Sequence, residues 1–350
     1  MSQSFPDDID VVIVAHNNLT VLPDALTSVT ATGCPPSRIT VVNIASTDGT
    51  SDWLQREWPG VRERTLDVNL GPSPGRNVGI RETTRRFVLL MDADVVLTPS
   101  CVTPLHVDMC ADARIKVGSP VVVHRHDPTI IQYAGGGMHF ICEAINPWLD
   151  RPLSARGSAP ADIDAAPTCA LLLDRAAAIE VGLFDERYFI GKEDGDFTHR
   201  VRLAGYIIRE RPDALVLHRS RPRGTWLFYY QIRNRWHFML KNYQWRTLIA
   251  IAPVVLVHET LQALLLVAKG HGRVYLRAAW GLLALLPSLR QDRALMRRIR
   301  VLPDGALLHA GPLVVRDDLA GHPALRTAKT LYERALTAYW SVLTATVLRP

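Results

Sequence analysis

The chain is poor in the residues that build disulfide frameworks and structural zinc sites. Its five cysteines, Cys34, Cys101, Cys110, Cys142 and Cys169, are scattered, with no C-x-x-C pair and no histidines clustered at zinc spacing. A reducing compartment and no structural metal are therefore expected. The opening MSQSFPDDID has neither a basic n-region nor an apolar h-region, so no secretory signal is expected and the amino-terminal part should stay in the cytoplasm. The absence of an internal repeat or low-complexity tract excludes a repeat array. Acids are scarce in one place: residues 219–300 hold fifteen Lys or Arg against Glu259 and Asp292, a local net of +13. The whole chain carries +6, so the remainder is 6 − 13 = −7. Such a block attracts either nucleic acid or an anionic membrane surface.

The 350 residues, 48% apolar and 21% charged, suit one large domain and a smaller one with ample core. Strand-like runs VVIVA (11–15), ITVVNIA (39–45) and FVLLM (87–91) alternate with the helix-like LPDALTSVTATG and TSDWLQREWPG. This βαβαβ rhythm predicts an α/β fold with a parallel sheet wound with helices. NLGPSPGRNVGIRETT reads as a Gly/Pro loop opening onto a helix that begins near Arg76 or Asn77, a natural seat for an anion. Residues 134–137 and 147–167 read as loops, and a second ordered block spans 168–218.

Toward the carboxyl terminus, LIAIAPVVLVHETLQALLLVA (248–268) is long enough to cross a bilayer, although Pro253, His258, Glu259 and Gln262 interrupt it. VYLRAAWGLLALLPSL (274–289) follows, and arginines flank both. A hairpin lying in the interface, one or two transmembrane helices, and a buried soluble pair are the readings open to it. Aromatics and arginines interleave just before, in GTWLFYYQIRNRWHFMLKNYQW, as in a membrane boundary belt, although ordinary core would also use them. The apolar stretches turn the basic block toward a membrane surface and away from nucleic acid. Residues 1–240 are expected as the α/β domain, and 241–350 as a helical, membrane-associated region.

Asp92 and Asp94 stand at the carboxyl end of the apolar run Phe87–Met91. Open α/β sheets bind ligands in the crevice there, while the plain alternative is a pair that caps a turn. In FDERYFIGKEDGDFTHRVRLAGY, Glu193, Asp194 and Asp196 precede a helical pattern, three acids where capping needs one. The strand-like DALVLH ends on His218. If Asp92, Asp94 and His218 converge, two carboxylates and an imidazole suit Mn²⁺ or Mg²⁺ on a diphosphate. A further carboxylate of the second cluster would be free to deprotonate an attacking hydroxyl.

In this order the motifs resemble family 2 of the glycosyltransferases, with the GT-A fold, over residues 9 to about 240. VVIVAHNNLTVLPDALTSV is similar to the first strand and helix of that family, VVNIASTDGT to its nucleotide-binding segment, NLGPSPGRNVGI to its Gly and Arg-Asn loop, and MDADV to its D-x-D motif. TCALLLDRAAAIEVGLFDERYFIGKEDGDFTHRVRLAGY resembles the acceptor-side block with its E-D-x-D motif. YYQIRNRW is similar to the rhamnosyltransferase-like members, whose acceptors are often polyprenyl diphosphate-linked sugars of cell-surface polysaccharides.

The resemblance implies a nucleotide-sugar site of Ala15, Asn17, Asn43, Asp48, Arg76 and Asp92, with Arg76 near the base or diphosphate. It implies Asp94 and His218 as metal ligands for Mn²⁺ or Mg²⁺. Asp194 becomes the base of an inverting displacement, with Glu193 as the other candidate and Asp196 organising the loop on the acceptor side. One departure stands out: Asn43-Ile44 occupies the place of the family's Asp-Asn. An Asn43 carbonyl still accepts from a nucleobase imino group, but the lost charge weakens that contact by ~1 kcal/mol. Both UDP- and dTDP-sugars therefore stay open as donors. The protein is expected on the cytoplasmic side of the membrane, with the oligomeric state open. A nucleotidyltransferase is the rival enzyme, but AHNNLT lacks the glycine and the Lys or Arg of its first loop. A non-catalytic membrane adaptor would have lost the acids that are present here.

Overall fold

Short β-branched runs form the centre of the first of two compact units. The computed structural model describes residues 5–220, 224–313 and 323–348. The first unit comprises 5–135, 148–201 and 206–220, and the second 136–147, 202–205, 224–313 and 323–348. The chain begins β1 (Ile9–Ala15), α1 (Leu22–Ala31), β2 (Ile39–Ile44), α2 (Thr50–Glu57), β3 (Arg62–Leu66), α3 (Pro72–Glu82), β4 (Phe87–Asp92), β5 (Val95–Leu97) and α4 (Val102–Ala111). It continues with β6 (Ile115–His124), β7 (Ile131–Tyr133), β8 (Gly137–His139), β9 (Ala144–Ile145), β10 (Ala161–Ile163), β11 (Ala170–Asp174), α5 (Arg175–Glu180), α6 (Glu193–Leu203) and β12 (Ile207–His218).

The sheet of the first unit runs β10-β12-β6-β11-β4-β1-β2-β3 among the described residues, with β5 on β12 and β7 on β6. Strands β3, β2, β1 and β4 are mutually parallel, as the βαβαβ rhythm predicts. Beyond them the sheet turns mixed: β11 lies antiparallel to both β4 and β6, while β12 is parallel to β6. β1 and β2 are buried at every position, as uninterrupted apolar runs require of strands covered on both faces. β3, RERTL, has no buried position, so no apolar run announces it. The stretch expected to be loops also contributes β10, paired with β12.

Helix α3 starts at Pro72 rather than near Arg76 or Asn77. Proline is tolerated at the first helical position because its missing N–H has no partner there in any case. The glycines inside it serve close packing: a Cβ on Gly79 would lie 2.2 Å from Val12 Cγ1, and one on Gly75 2.8 Å from Ile44 Cδ1. Pressed onto β1 and β2 in this way, α3 carries Arg76 to the carboxyl edge of the sheet. Register completes the edge, with Ala15 beside Asn43 and Val14 beside Asp92.

The second unit is mostly helical: α7 (Leu227–Asn242), α8 (Trp245–Ala268), α9 (Arg273–Leu283), α10 (Leu289–Ile299), the short α11 (Asp304–Leu307), and, after β13 (Leu308–His309), α12 (Pro323–Thr346). β13, β8 and β9 form a small sheet. Among the described residues α8 is the one helix long and apolar enough to cross a membrane. Only 6% of its most apolar stretch is buried. Ile249, Leu256 and Leu264 are 73%, 68% and 61% exposed. The polar interruptions face inward instead. Arg235 of α7 is buried and donates to both oxygens of Glu259, at 2.9 and 2.8 Å, as well as to Gln262 and Glu143. Tyr275 of α9 donates to Glu259 and Gln262. A carboxylate in an apolar helix is tolerated when it is paired in this way.

Candidate active site

The buried run of β4 ends by delivering Asp92 to the crevice, and the turn Ala93-Asp94 follows. Arg76 Nη2 donates to both oxygens of Asp92, at 3.0 and 3.3 Å. The same guanidinium reaches a partner 118 positions away: its Nη1 donates to Asp194 Oδ1 at 3.2 Å. Asp194 lies in the first turn of α6, where the exposed backbone N–H groups favour negative charge. The Thr168 hydroxyl, just before β11, donates to the same Oδ1. Among the described residues Oδ2 of Asp194 accepts no hydrogen bond. Arg76 is 3% exposed and sits over the Phe184 ring at 5.4 Å. It lies beneath the carboxylates, with both terminal nitrogens donating to them.

Electrostatics of the cluster are lopsided. Asp92, Asp94 and Asp194 carry −3 against the charge of Arg76, a net of −2. Burial lifts the Asp92 carboxyl above its ordinary range; Arg76 pulls against this, and the charges of Asp94 and Asp194 add to it. A divalent cation is the natural counter-charge. Asp94 and His218 have the donor set for one: β12 pairs His218 with Val95, and Nε2 of the ring lies 3.5 Å from Asp94 Oδ1. The other ring nitrogen, Nδ1, is 2.8 Å from Gln132 Oε1. With the amide oxygen as acceptor, Nδ1 carries the proton and Nε2 presents its lone pair toward Asp94, the tautomer a metal ligand needs. A carboxylate and an imidazole fit Mn²⁺ or Mg²⁺.

The remaining expected residues divide by accessibility. Glu193 is 7% exposed and Asp196 wholly buried, whereas the Asp194 side chain keeps 37% of its surface. Asp196 pairs with Arg200 at 2.8 Å, so it holds the first turns of α6 together. Ala15 closes β1. Asn17, in the left-handed region at φ 50°, accepts from the Thr47 amide at its side-chain oxygen at 2.8 Å, and its own backbone amide donates to Ser46 Oγ at 2.9 Å. Asp48 accepts from the Leu19 amide at 2.9 Å and from Thr50. Slight burial opposes ionisation of Asp48, and these bonds outweigh it, holding its carboxyl below the usual value. Together they brace the loops after β1 and β2.

Asn43 is buried, and its side-chain amide donates to Ser51 Oγ and Glu63 Oε1, both at 2.9 Å. Glu63, on polar β3, therefore places a carboxylate beside the position where the expected one is missing. Nothing in the RERTL pattern points to it; only the parallel register of β2 and β3 does. Thr168 and Gln132 were also not legible, because each acts on a partner in another element. All five cysteines are free, and the fold brings Asp8, His106 and Cys110 together even though their sequence spacing shows no cluster.

Residues 10–176 match the family model for glycosyl transferase family 2. Over these residues the chain is similar to a family 2 glycosyl transferase domain. It is 27% identical over 241 residues to N-acetylglucosaminyl-diphospho-decaprenol L-rhamnosyltransferase of Mycobacterium tuberculosis, covering 61% of this chain and 76% of that one. Among solved structures, GalNAc-T7 with UDP, GalNAc and Mn²⁺ is 16% identical with a TM-score of 0.56, over 72% of this chain. This chain spans about half, 54%, of the GalNAc-T7 chain. Mannosyltransferase PcManGT from Pyrobaculum calidifontis, with GDP-Man and Mn²⁺, is 16% identical with a TM-score of 0.50, over 97% of this chain and 87% of that one. These likenesses identify the GT-A fold, and the residues matched to family 2 contain β4, the D-x-D acids and the Arg76 anchor.

Proposed function

We propose that the protein is an inverting, metal-dependent glycosyltransferase that moves a sugar from a UDP- or dTDP-sugar to a polyprenyl diphosphate-linked saccharide. The observation that carries this reading is the Arg76 bridge, which joins Asp92 on the donor side to Asp194 at the head of α6, beside the Asp94 and His218 pair. Asp92 and the braced loops bearing Asn17 and Asp48 would seat the nucleotide. Asp94 and His218 would hold Mn²⁺ or Mg²⁺, which when bound would offset charge on the departing diphosphate.

Asp194 would be the base. Arg76 and Thr168 fix its Oδ1, leaving Oδ2 to take the proton of the acceptor hydroxyl. The new bond forms from that oxygen to the anomeric carbon as the bond to the nucleotide phosphate breaks on the opposite face, and the electron pair leaves with the nucleoside diphosphate. Glu193, nearly closed from solvent, is the poorer candidate. Beside Asn43, Glu63 would supply the acceptor charge for a nucleobase imino group. The lipid-linked acceptor is supported by the name of the mycobacterial relative, and the outward apolar face of α8 suits a site on the cytoplasmic face of the membrane.

The test is a donor screen of UDP- and dTDP-sugars with Mn²⁺ or Mg²⁺, with and without lipid-linked acceptors. Nucleotide release that needs both metal and acceptor is expected; release unaffected by a chelator would remove the metal role. Ile249→Asp combined with Leu256→Asp should shift the protein from membranes to the soluble fraction, and unchanged sedimentation would remove the apolar face from the account.

A further inference from the structure

The second unit contains a cavity of about 230 Å³ at the corner between α7 and α8. Its lining includes Lys241, Trp245, Arg293, Arg297 and Arg300, and no carboxylate. The acid paired with Arg300 is already committed: Asp304 is fully buried and accepts from Arg300 Nη1 at 2.6 Å and from the Gln244 amide at 2.7 Å. The three arginines and Asp304 thus sum to 3 − 1 = +2.

These cations are not equivalent. Arg293 closes the end of α7, donating to the carbonyls of Leu240 and Tyr243, while its guanidinium lies over the Trp245 ring at 4.2 Å. Arg300 likewise donates to the Asn242 carbonyl. Both have a structural duty. Arg297, exposed at the cavity mouth, has no hydrogen bond or ion pair among the described residues. Burial, together with the charges of Arg300 and Arg297, holds the Arg293 guanidinium below its ordinary value, and Asp304 only partly relieves it. Like charges crowded around a concave space without a carboxylate are what an anion resolves.

We propose that this cavity is a phosphate-binding site. Its position suggests the phosphate of a lipid headgroup as one source: Trp245, in its wall, is 56% exposed and opens the helix whose outer face is apolar. That source rests on the membrane reading above, while phosphate recognition itself does not.

Full-length protein tests it with two probes and two charge reversals, Arg297→Glu and Arg298→Glu. Arg298 is the adjacent cation, also exposed, that does not line the cavity. In the first arm, partition onto phosphatidylcholine vesicles is measured with and without phosphatidylglycerol. Arg297→Glu should weaken binding to the anionic vesicles at least about fivefold more than Arg298→Glu, the effect of one additional phosphate contact near a membrane. In the second arm, inorganic phosphate should raise the Tm of the native protein and of Arg298→Glu but not of Arg297→Glu. A difference in the first arm alone identifies a lipid phosphate, and one in the second a free phosphate. Failure of the native protein to bind any vesicle removes the membrane reading and leaves the second arm to decide the cavity. Equal behaviour of the two variants in both arms overturns the proposal.

Discussion

Replacing Arg76 by Gln removes one guanidinium from between two carboxylates, and its consequence follows from the geometry. Arg76 is 3% exposed, and it donates to Asp92 at 3.0 Å and Asp194 at 3.2 Å. Removing one partner of a buried pair costs about 3–5 kcal/mol. Here the carboxylates keep 29% and 37% of their side-chain surface, so water screens what is left unpaired and about 2–3 kcal/mol is expected. At roughly 2–4 °C per kcal/mol, the Tm of purified protein should fall by about 5–10 °C. The net charge of the three aspartates and Arg76 moves from −2 to −3, so Mn²⁺ should raise the Tm of Arg76→Gln by more than it raises the native value. Adding Asp92→Asn to Arg76→Gln should recover part of the loss, because the two groups are coupled. A variant whose Tm stays within about 1 °C of the native one, with no larger response to Mn²⁺, would refute the reasoning.

Asp94→Ala and Asp194→Ala should each lower sugar transfer by on the order of 10²-fold or more while leaving the thermal transition in place, and near-normal turnover in either removes its role. Glu63→Gln should raise KM for the donor several-fold with kcat little changed, as expected of a group that reads the base and takes no part in bond making; an unchanged KM clears Glu63 of that duty. His139 in β8 gives a pH signature. Burial holds its imidazole at about 4, below the ordinary 6.5. Its folded value is therefore depressed, so the stability it supports is full above pH 6.5 and is lost as pH falls toward about 4, by up to ~3 kcal/mol. Chemical denaturation of the native protein between pH 7 and 4, compared with His139→Gln, should show the steeper fall in the native chain; parallel profiles would reject the assignment.

Local pattern was enough wherever the physics is local. A strand covered on both faces must be apolar at every position, and a helix start tolerates acids, so β1, β2, β4 and the head of α6 could be read directly. Asp92 and Asp94 could be placed at a ligand-facing edge because a parallel strand ends there whatever surrounds it. The start of α3 was misplaced because Gly and Pro signal loops in a sequence. In the fold the proline stands in a first turn that needs no N–H, and the glycines meet Val12 and Ile44 across the sheet.

What the sequence could not determine depends on approach between distant segments. Arg76 meets Asp194 only because α3 lies flat on β1 and β2, and Glu63 reaches Asn43 only through the register of an exposed edge strand. The partner of His218 Nδ1, Gln132 Oε1, lies 86 positions earlier. The +13 block was visible as charge, but its partition into Arg235 paired with Glu259, arginines closing helix α7, and Arg297 left open at a cavity required the packed helices. Composition counts charges; only tertiary structure decides which of them are already neutralised and which remain to bind something else.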